Sequence, residues 1–173
     1  MNLIEILPYF HIFVTFFYLY PLIIPKNVFW DKIYLLVLSI VVLNWTVMKG
    51  ECTLSYIWKK SQDKNYKMGS KTIEINDIKT VLPFFDEKFV IGFFGIFMSF
   101  VILLFGYTAN RSKILPFKIY SLFIITGIYI LLRERKFFNE KIHESMEKYY
   151  IIDGLNIISV LIILLTIYKT IKA

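Results

Sequence analysis

The stretch from Ile33 to Met48 reads IYLLVLSIVVLNWTVM, and KGECTLSYIWKK follows it from Lys49 to Lys60. The first part is an almost unbroken apolar run, long enough at ~1.5 Å per residue to be most of a membrane-spanning helix. The second part crosses into charge and contains the only cysteine of the chain, with an acid beside it. The boundary therefore predicts that a helix leaves the membrane here.

The composition supports the same interpretation. Of the 173 residues, 57% are hydrophobic, and they are collected in blocks. A soluble domain typically has about 45–50% apolar residues, spread as amphipathic stripes. Blocks indicate an integral membrane protein, and the length predicts one domain, residues 1–173. One cysteine excludes an intramolecular disulfide and a multi-cysteine zinc site, and two histidines exclude a three-histidine metal site.

Five apolar blocks predict an all-α fold, a polytopic transmembrane helical bundle of four to five spans with short amphipathic surface helices. The spans are expected at residues 3–24, 29–49, 89–109, 114–132 and 151–168. In the second, Gly50 marks an end or a kink; the alternative is a helix that continues to Lys60. The fifth has Asp153, Gly154 and Asn156 in its first two turns, and a four-span arrangement would leave it peripheral.

Three weaker patterns concern surfaces. Apolar residues at helical spacing predict a helix lying on the membrane over residues 72–85. They also predict a second amphipathic helix over residues 133–150, which continues the fourth block or lies on the surface. Gly92, Gly95 and Ser99 form a small-residue stripe that suits close helix packing, although ordinary glycine usage in membrane helices explains it equally well.

The basic residues predict the threading. With five spans, the side holding the 49–88 and 133–150 loops has 13 of the 20 Lys and Arg residues, and the other side has 7. Excess Lys and Arg marks cytoplasmic loops, so the N-terminus and both loops are expected inside and the C-terminus outside. The same excess accounts for the net charge of +7, so no nucleic-acid partner is expected.

This threading brings a candidate polar cluster into the inner half of the bundle. Its members are His11, Asn44, Glu51, Cys52 and Asp153. Ionisable groups at membrane depth are costly and are by default functional hypotheses. Each also has a structural explanation: Glu51 and Asp153 as hydrated or paired interface acids, His11 as a local hydrogen-bond partner, Asn44 as a link between helices, and Cys52 as an inert or palmitoylated residue.

Asn44 and Glu51 are seven residues apart, so on one continuous helix they would share a face. The neighbour expected for that face is the first span, whose link to the second is short. His11 and Thr15 are then the natural partners.

Several reactions have no support in the sequence. It contains no Cys-x-x-Cys, His-Glu-x-x-His or Gly-x-Ser-x-Gly motif, no phosphate-binding loop and no potassium filter. No cofactor, metal or catalytic residue is therefore assigned. The aromatic content is typical of membrane belts.

The segment Gly50–Tyr56, GECTLSY, is followed by Lys59-Lys60, Asp63, Asn65-Tyr66 and Gly69. This pattern resembles a motif in uncharacterised multi-span membrane proteins of large DNA viruses. The resemblance covers about 20 of the 173 residues. It implies a viral source and a shared structural unit between Gly50 and Gly69, and it implies no activity.

The sequence thus favours a structural or interaction component of a membrane, with the lipid bilayer as partner and a homo-oligomer or other membrane proteins as further candidates. One alternative is a small transporter or ion pathway through the inner polar residues. Another is a membrane-embedded enzyme using Cys52 or Glu51. A core filled with Leu, Ile and Phe would favour the first, and a water-accessible polar cavity the other two.

Overall fold

A computed structural model describes residues 3–48, 52–68, 83–84, 87–134 and 151–173. Within these ranges all regular secondary structure is helical, which confirms the all-α prediction for this part of the chain. The helices are α1 (Leu3–Phe17), α2 (Tyr20–Ile23), α3 (Val28–Val47), α4 (Thr53–Gln62), α5 (Glu87–Ser112), α6 (Phe117–Glu134) and α7 (Ile151–Lys172).

The sequence suggested that the first apolar block forms one helix, but the structure divides it into two. α1 ends at Phe17, and the one-turn helix α2 follows after Tyr18 and Leu19. Pro21 explains the break, since it has no N–H to donate to the Phe17 carbonyl and its ring clashes with that carbonyl in a continuous helix. The chain tightens instead, and the Tyr18 and Leu19 N–H groups donate to carbonyls three residues back.

α3 is the central helix, and it packs against α5, α6 and α7. Its start is capped by the Asn27 side chain, which accepts a hydrogen bond from the Trp30 N–H at 3.2 Å. Its buried face carries large apolar residues. With residues of α5, α6 and α7 they form the core: Tyr34, Leu35, Leu38, Val42, Met98, Val101, Phe105, Phe123, Ile130 and Ile163.

The alternative of a helix continuing to Lys60 is wrong. α3 ends at Val47, where Met48 has left helical geometry with φ −89° and ψ 22°. Cys52 is extended, with φ −78° and ψ 139°, and α4 begins at Thr53. α4 then packs against α1.

α5 and α6 form an antiparallel hairpin. Lys113 adopts a left-handed conformation with φ 55° and ends α5, a common way to close a helix. Two glycines allow close approach: a Cβ on Gly106 would lie 2.7 Å from Ile124 Cδ1, and one on Gly127 would lie 2.9 Å from Ile102 Cδ1. Between them, the Phe105 and Phe123 rings stack with centroids 3.9 Å apart.

The small-residue stripe expected on α5 does not form one packed face. Gly95 is buried, but Ser99 is exposed and a Cβ on Gly92 would meet no atom within 4 Å. The close approach is made instead by Gly106 and Gly127. The predicted surface helices, 72–85 and 133–150, fall largely outside the described residues and stay predictions.

Among the described residues, two helices are long and apolar enough to cross a membrane, Val28–Val47 and Gly154–Lys172. Two apolar helices are shorter, Ile6–Phe17 and Phe117–Leu131. Of the four to five expected membrane spans, two are thus supported by helix length and composition.

Candidate functional site

Asn44 links the end of α3 to the start of α4. Its Oδ1 accepts a hydrogen bond from the Thr53 N–H at 3.1 Å, and its Nδ2 donates to the Thr53 hydroxyl. The first N–H of a helix has no partner inside that helix. The Asn44 side chain supplies one from another helix, which makes it a structural link of the kind that the sequence left open.

The other members of the predicted cluster are placed less completely. Glu51 lies outside the described residues, as do the side chains of His11 and Asp153. Cys52 precedes α4, half-buried against the core, and its carbonyl accepts from the Tyr56 N–H. The sequence analysis expected Asn44 and Glu51 to share a face of one continuous helix. That helix does not form, because α3 ends at Val47. Convergence of the five residues remains a prediction.

Residues 52–68 form a compact segment beyond Asn44. Tyr66 is buried there, with its ring 6.1 Å from that of Tyr56 and the Lys59 Nζ 5.3 Å from its centroid. Lys60 Nζ donates to the Tyr66 carbonyl at 2.9 Å, and the Asp63 carboxylate accepts from the Asn65 N–H. Several described positions of the motif and its continuation therefore make contacts within this segment: Tyr56, Lys59, Lys60, Asp63 and Tyr66.

A second polar cluster, which the sequence did not predict, lies where α3 begins and α5 ends. Its members are Tyr20, Asp31, Arg111 and Ser112, here called the Asp31–Arg111 cluster. Asp31 is in the first turn of α3 and has no exposed surface. The N-terminal end of a helix favours a negative charge, which suits a carboxylate at this position.

Four donors satisfy the Asp31 carboxylate. Arg111 binds it through both Nε, at 3.0 Å from Oδ2, and Nη2. The Tyr20 hydroxyl donates to Oδ1 at 3.0 Å, and the Ser112 hydroxyl donates to Oδ2. A two-point contact between arginine and a carboxylate is strong and directional, so it sets how α3 and α5 are aligned.

Arg111 also binds the link between α2 and α3. Its Nη1 donates to the Pro21 carbonyl at 2.8 Å and to the Ile24 carbonyl at 3.3 Å. Its guanidinium lies 5.7 Å from the Tyr20 ring centroid and 5.5 Å from that of Tyr107. The Arg111 guanidinium is protonated, as arginine is throughout proteins.

This arrangement is suited to holding helices together. The carboxylate and the guanidinium satisfy one another and use neighbouring hydroxyls and carbonyls for their remaining hydrogen bonds. The sequence did carry a signal: Asp31 is the sole acid between Ile6 and Gly50. The positive-inside rule depends on Lys and Arg alone, so it does not indicate the role of this acid. Among the described residues no group of three His, Cys, Asp or Glu could hold a metal ion.

No protein-family model, curated protein or solved structure matches this chain. The resemblance to viral membrane proteins therefore stays a prediction.

Proposed function

We propose that the protein is a multi-pass integral membrane protein with a structural or interaction role and no defined reaction. The observation that carries the proposal is the large apolar surface that faces outward. Among the described residues, large apolar side chains form the core between the helices and are also exposed along the outer faces of those helices. Water-soluble proteins seldom expose large contiguous apolar patches.

The outward faces of the long helices illustrate this. Ile96 on α5 is 76% exposed, Ile125 on α6 is 64% exposed and Ile157 on α7 is 62% exposed. Phe93, Leu103, Leu122, Leu161 and Leu164 are exposed on the same helices. Lipid tails are the natural neighbours for such faces, because they cover apolar surface without requiring polar partners.

Six buried serine and threonine hydroxyls are satisfied within their own helices. Ser39, Thr46, Thr108, Ser159, Thr166 and Thr170 each donate to the carbonyl four residues earlier, at 2.7–2.9 Å. In a hydrocarbon environment each polar group needs an internal partner. The pattern thus suits a membrane interior.

The lengths of α3 and α7 support two of the five proposed crossings. α3 has 20 residues and α7 has 22, which correspond to about 30 and 33 Å, against a hydrocarbon core of about 30 Å. α7 packs along α3, which favours five spans over an arrangement with a peripheral last block. α5 and α6 supply two further spans, and α1 with α2 the first.

The threading proposed from the basic residues has the 49–88 and 133–150 loops in the cytoplasm. The Asp31–Arg111 cluster then lies at the opposite membrane surface. The link between α2 and α3 and the turn between α5 and α6 share that surface.

The core supports a structural role over transport or catalysis. The space between α3, α5 and α6 is filled by large side chains that are at most 1% exposed: Tyr34, Leu35, Leu38, Phe105 and Phe123. Asn44, a member of the predicted polar cluster, is hydrogen-bonded to Thr53 at the start of α4. The transporter and enzyme alternatives, a viral source and a homo-oligomer remain predictions.

Membrane integration is tested by alkaline carbonate extraction and flotation of cell membranes. We expect the protein to stay in the floating fraction, whereas a protein released by carbonate would contradict the proposal. For the role, purified protein is reconstituted into vesicles containing a pH-sensitive dye. A structural component gives no proton flux, and a flux lost in Glu51→Gln would favour the ion-pathway alternative.

A further inference from the structure

The end of the bundle that holds the Asp31–Arg111 cluster carries a large excess of positive charge. Five basic residues belong to the link before α3, the start of α3, and the α5–α6 turn with its flanking residues: Lys26, Lys32, Arg111, Lys113 and Lys118. Lys169 and Lys172, in the last turn of α7, lie at the same surface in the proposed threading. The sequence from Ile6 to Gly50 and from Lys88 to Arg133 contains one acid, Asp31. Asp31 is buried and bound by Arg111, so the four lysines have no carboxylate in these segments to neutralise them.

These lysines are placed around the cluster by the chain. Lys26 lies in the link whose carbonyls bind Arg111, and Lys32 follows Asp31 in α3. Lys113 comes two residues after Arg111, and Lys118 is the second residue of α6. Lys26, Lys113 and Lys118 are exposed, and Lys32 is half-exposed. We call this set the basic end.

Apolar side chains are interleaved with the lysines. Ile24 precedes and Val28 follows Lys26, and Trp30 precedes Asp31 and Lys32; all three are exposed. Phe117, next to Lys118, is 71% exposed. A soluble anion would be attracted to the lysines but would leave these apolar groups in water. A phospholipid has both an anionic headgroup and adjoining hydrocarbon, so it complements both.

We infer that the basic end binds the phosphate-bearing headgroups of anionic phospholipids, with Lys26, Lys32, Lys113 and Lys118 as the ligands. The inference rests on the membrane location proposed above. The Asp31–Arg111 cluster is a positioning element, because it holds the two lysine-bearing segments against each other and removes the one carboxylate that would repel a phosphate. Basic residues near an anionic membrane surface attract it with a strength that falls within a Debye length.

Trp30 provides a local probe. In a Trp45→Phe, Trp58→Phe background it is the only tryptophan of the chain. The protein is reconstituted into vesicles that contain brominated phosphatidylglycerol or brominated phosphatidylcholine, and bromine quenches a neighbouring indole. We expect phosphatidylglycerol to be preferred at Trp30 by about fivefold, the contribution of one well-placed lysine, and the preference to decline as sodium chloride is raised.

Two variants locate the preference. Replacing the four lysines of the basic end with glutamine should abolish it, whereas replacing Lys60, Lys64 and Lys67 with glutamine should leave it intact. Sodium phosphate and sodium chloride are compared at equal ionic strength. Selective loss in phosphate would assign the site to a free anion and overturn the inference.

The outcomes separate this inference from the membrane proposal. Equal quenching by the two lipids would overturn the inference alone, and no quenching by either, with no incorporation into vesicles, would overturn both. If the two-phenylalanine background fails to fold, the unfolding temperature of the unaltered protein in micelles is measured with each lipid added. A larger increase with phosphatidylglycerol, lost in the four-glutamine variant, is the expected result, and equal increases would contradict it.

Discussion

Arg111 Nε lies 3.0 Å from the carboxylate of Asp31, although 80 residues separate them in the chain. The contact joins the last turn of α5 to the first turn of α3. Arg111 also holds the carbonyls of Pro21 and Ile24, so the link between α2 and α3 is positioned by the same side chain. One ion pair thus connects three segments at one end of the bundle.

Removing one partner of this pair should be more destabilising than removing both. Asp31→Asn leaves the Arg111 cation buried without its counter-ion, which typically costs ~3–5 kcal/mol. The double variant Asp31→Leu, Arg111→Met replaces both charges by apolar groups. It should lose less stability than Asp31→Asn. The free energy of unfolding in detergent micelles measures each.

The matched control for this series is Lys118→Gln, which removes an exposed charge without a partner in the cluster and should be close to neutral. Equal stability of Asp31→Asn and Lys118→Gln would contradict a structural role for the pair.

The glycines between α5 and α6 should tolerate substitution less well than a glycine that faces open space. In Gly127→Leu the new side chain meets Ile102, whose Cδ1, Cγ1 and Cγ2 lie 2.9, 3.2 and 3.4 Å from an added Cβ. Overpacking of this kind costs typically ~1–3 kcal/mol. The control is Gly92→Leu, since a Cβ there has nothing within 4 Å, and the midpoints of thermal unfolding compare the two.

Similar midpoints for Gly127→Leu and Gly92→Leu would mean that α5 and α6 are not in close contact. Gly106→Ala should be milder than Gly127→Leu, because only the end of the Ile124 side chain is close to its added Cβ, and the next atom lies 3.7 Å away.

Asn44→Ala should loosen the start of α4. It removes the acceptor for the Thr53 N–H and the donor to the Thr53 hydroxyl, and losing a helix cap typically costs ~1 kcal/mol. Hydrogen exchange of the amides in Thr53–Gln62 should become faster, with little change in α7. Thr53→Ser keeps the hydroxyl and serves as control, and unchanged exchange in Asn44→Ala would refute the link.

The elements were largely predictable because blocks of apolar residues are local signals. The helices α3, α5, α6 and α7 start or end within a few residues of the expected blocks, since chain composition changes sharply there. The break in the first block depended on one residue, Pro21, whose place near the end of the block made it look like a boundary. The end of α3 at Val47 was one of two open alternatives.

The polar contacts were harder to predict because they join distant segments. Asp31 and Arg111 are adjacent only after α3 and α5 have packed, and no periodicity in either helix indicates the pairing. The partner of Asn44 is Thr53, at the start of the next helix, and not a residue on a continuous stripe. Glu51 and the side chains of His11 and Asp153 lie outside the described residues, so the predicted cluster is still a prediction.

The most direct test of the membrane proposal is labelling of single cysteines from one side of a sealed membrane. In a Cys52→Ser background, cysteine is introduced in turn at Lys26, Ser70 and Ser145, and the vesicles are treated with a membrane-impermeant maleimide before and after detergent. We expect Ser70→Cys and Ser145→Cys to react from the cytoplasmic side and Lys26→Cys to react from the opposite side. Labelling of all three from the same side would contradict it, because α3 would then not cross the membrane.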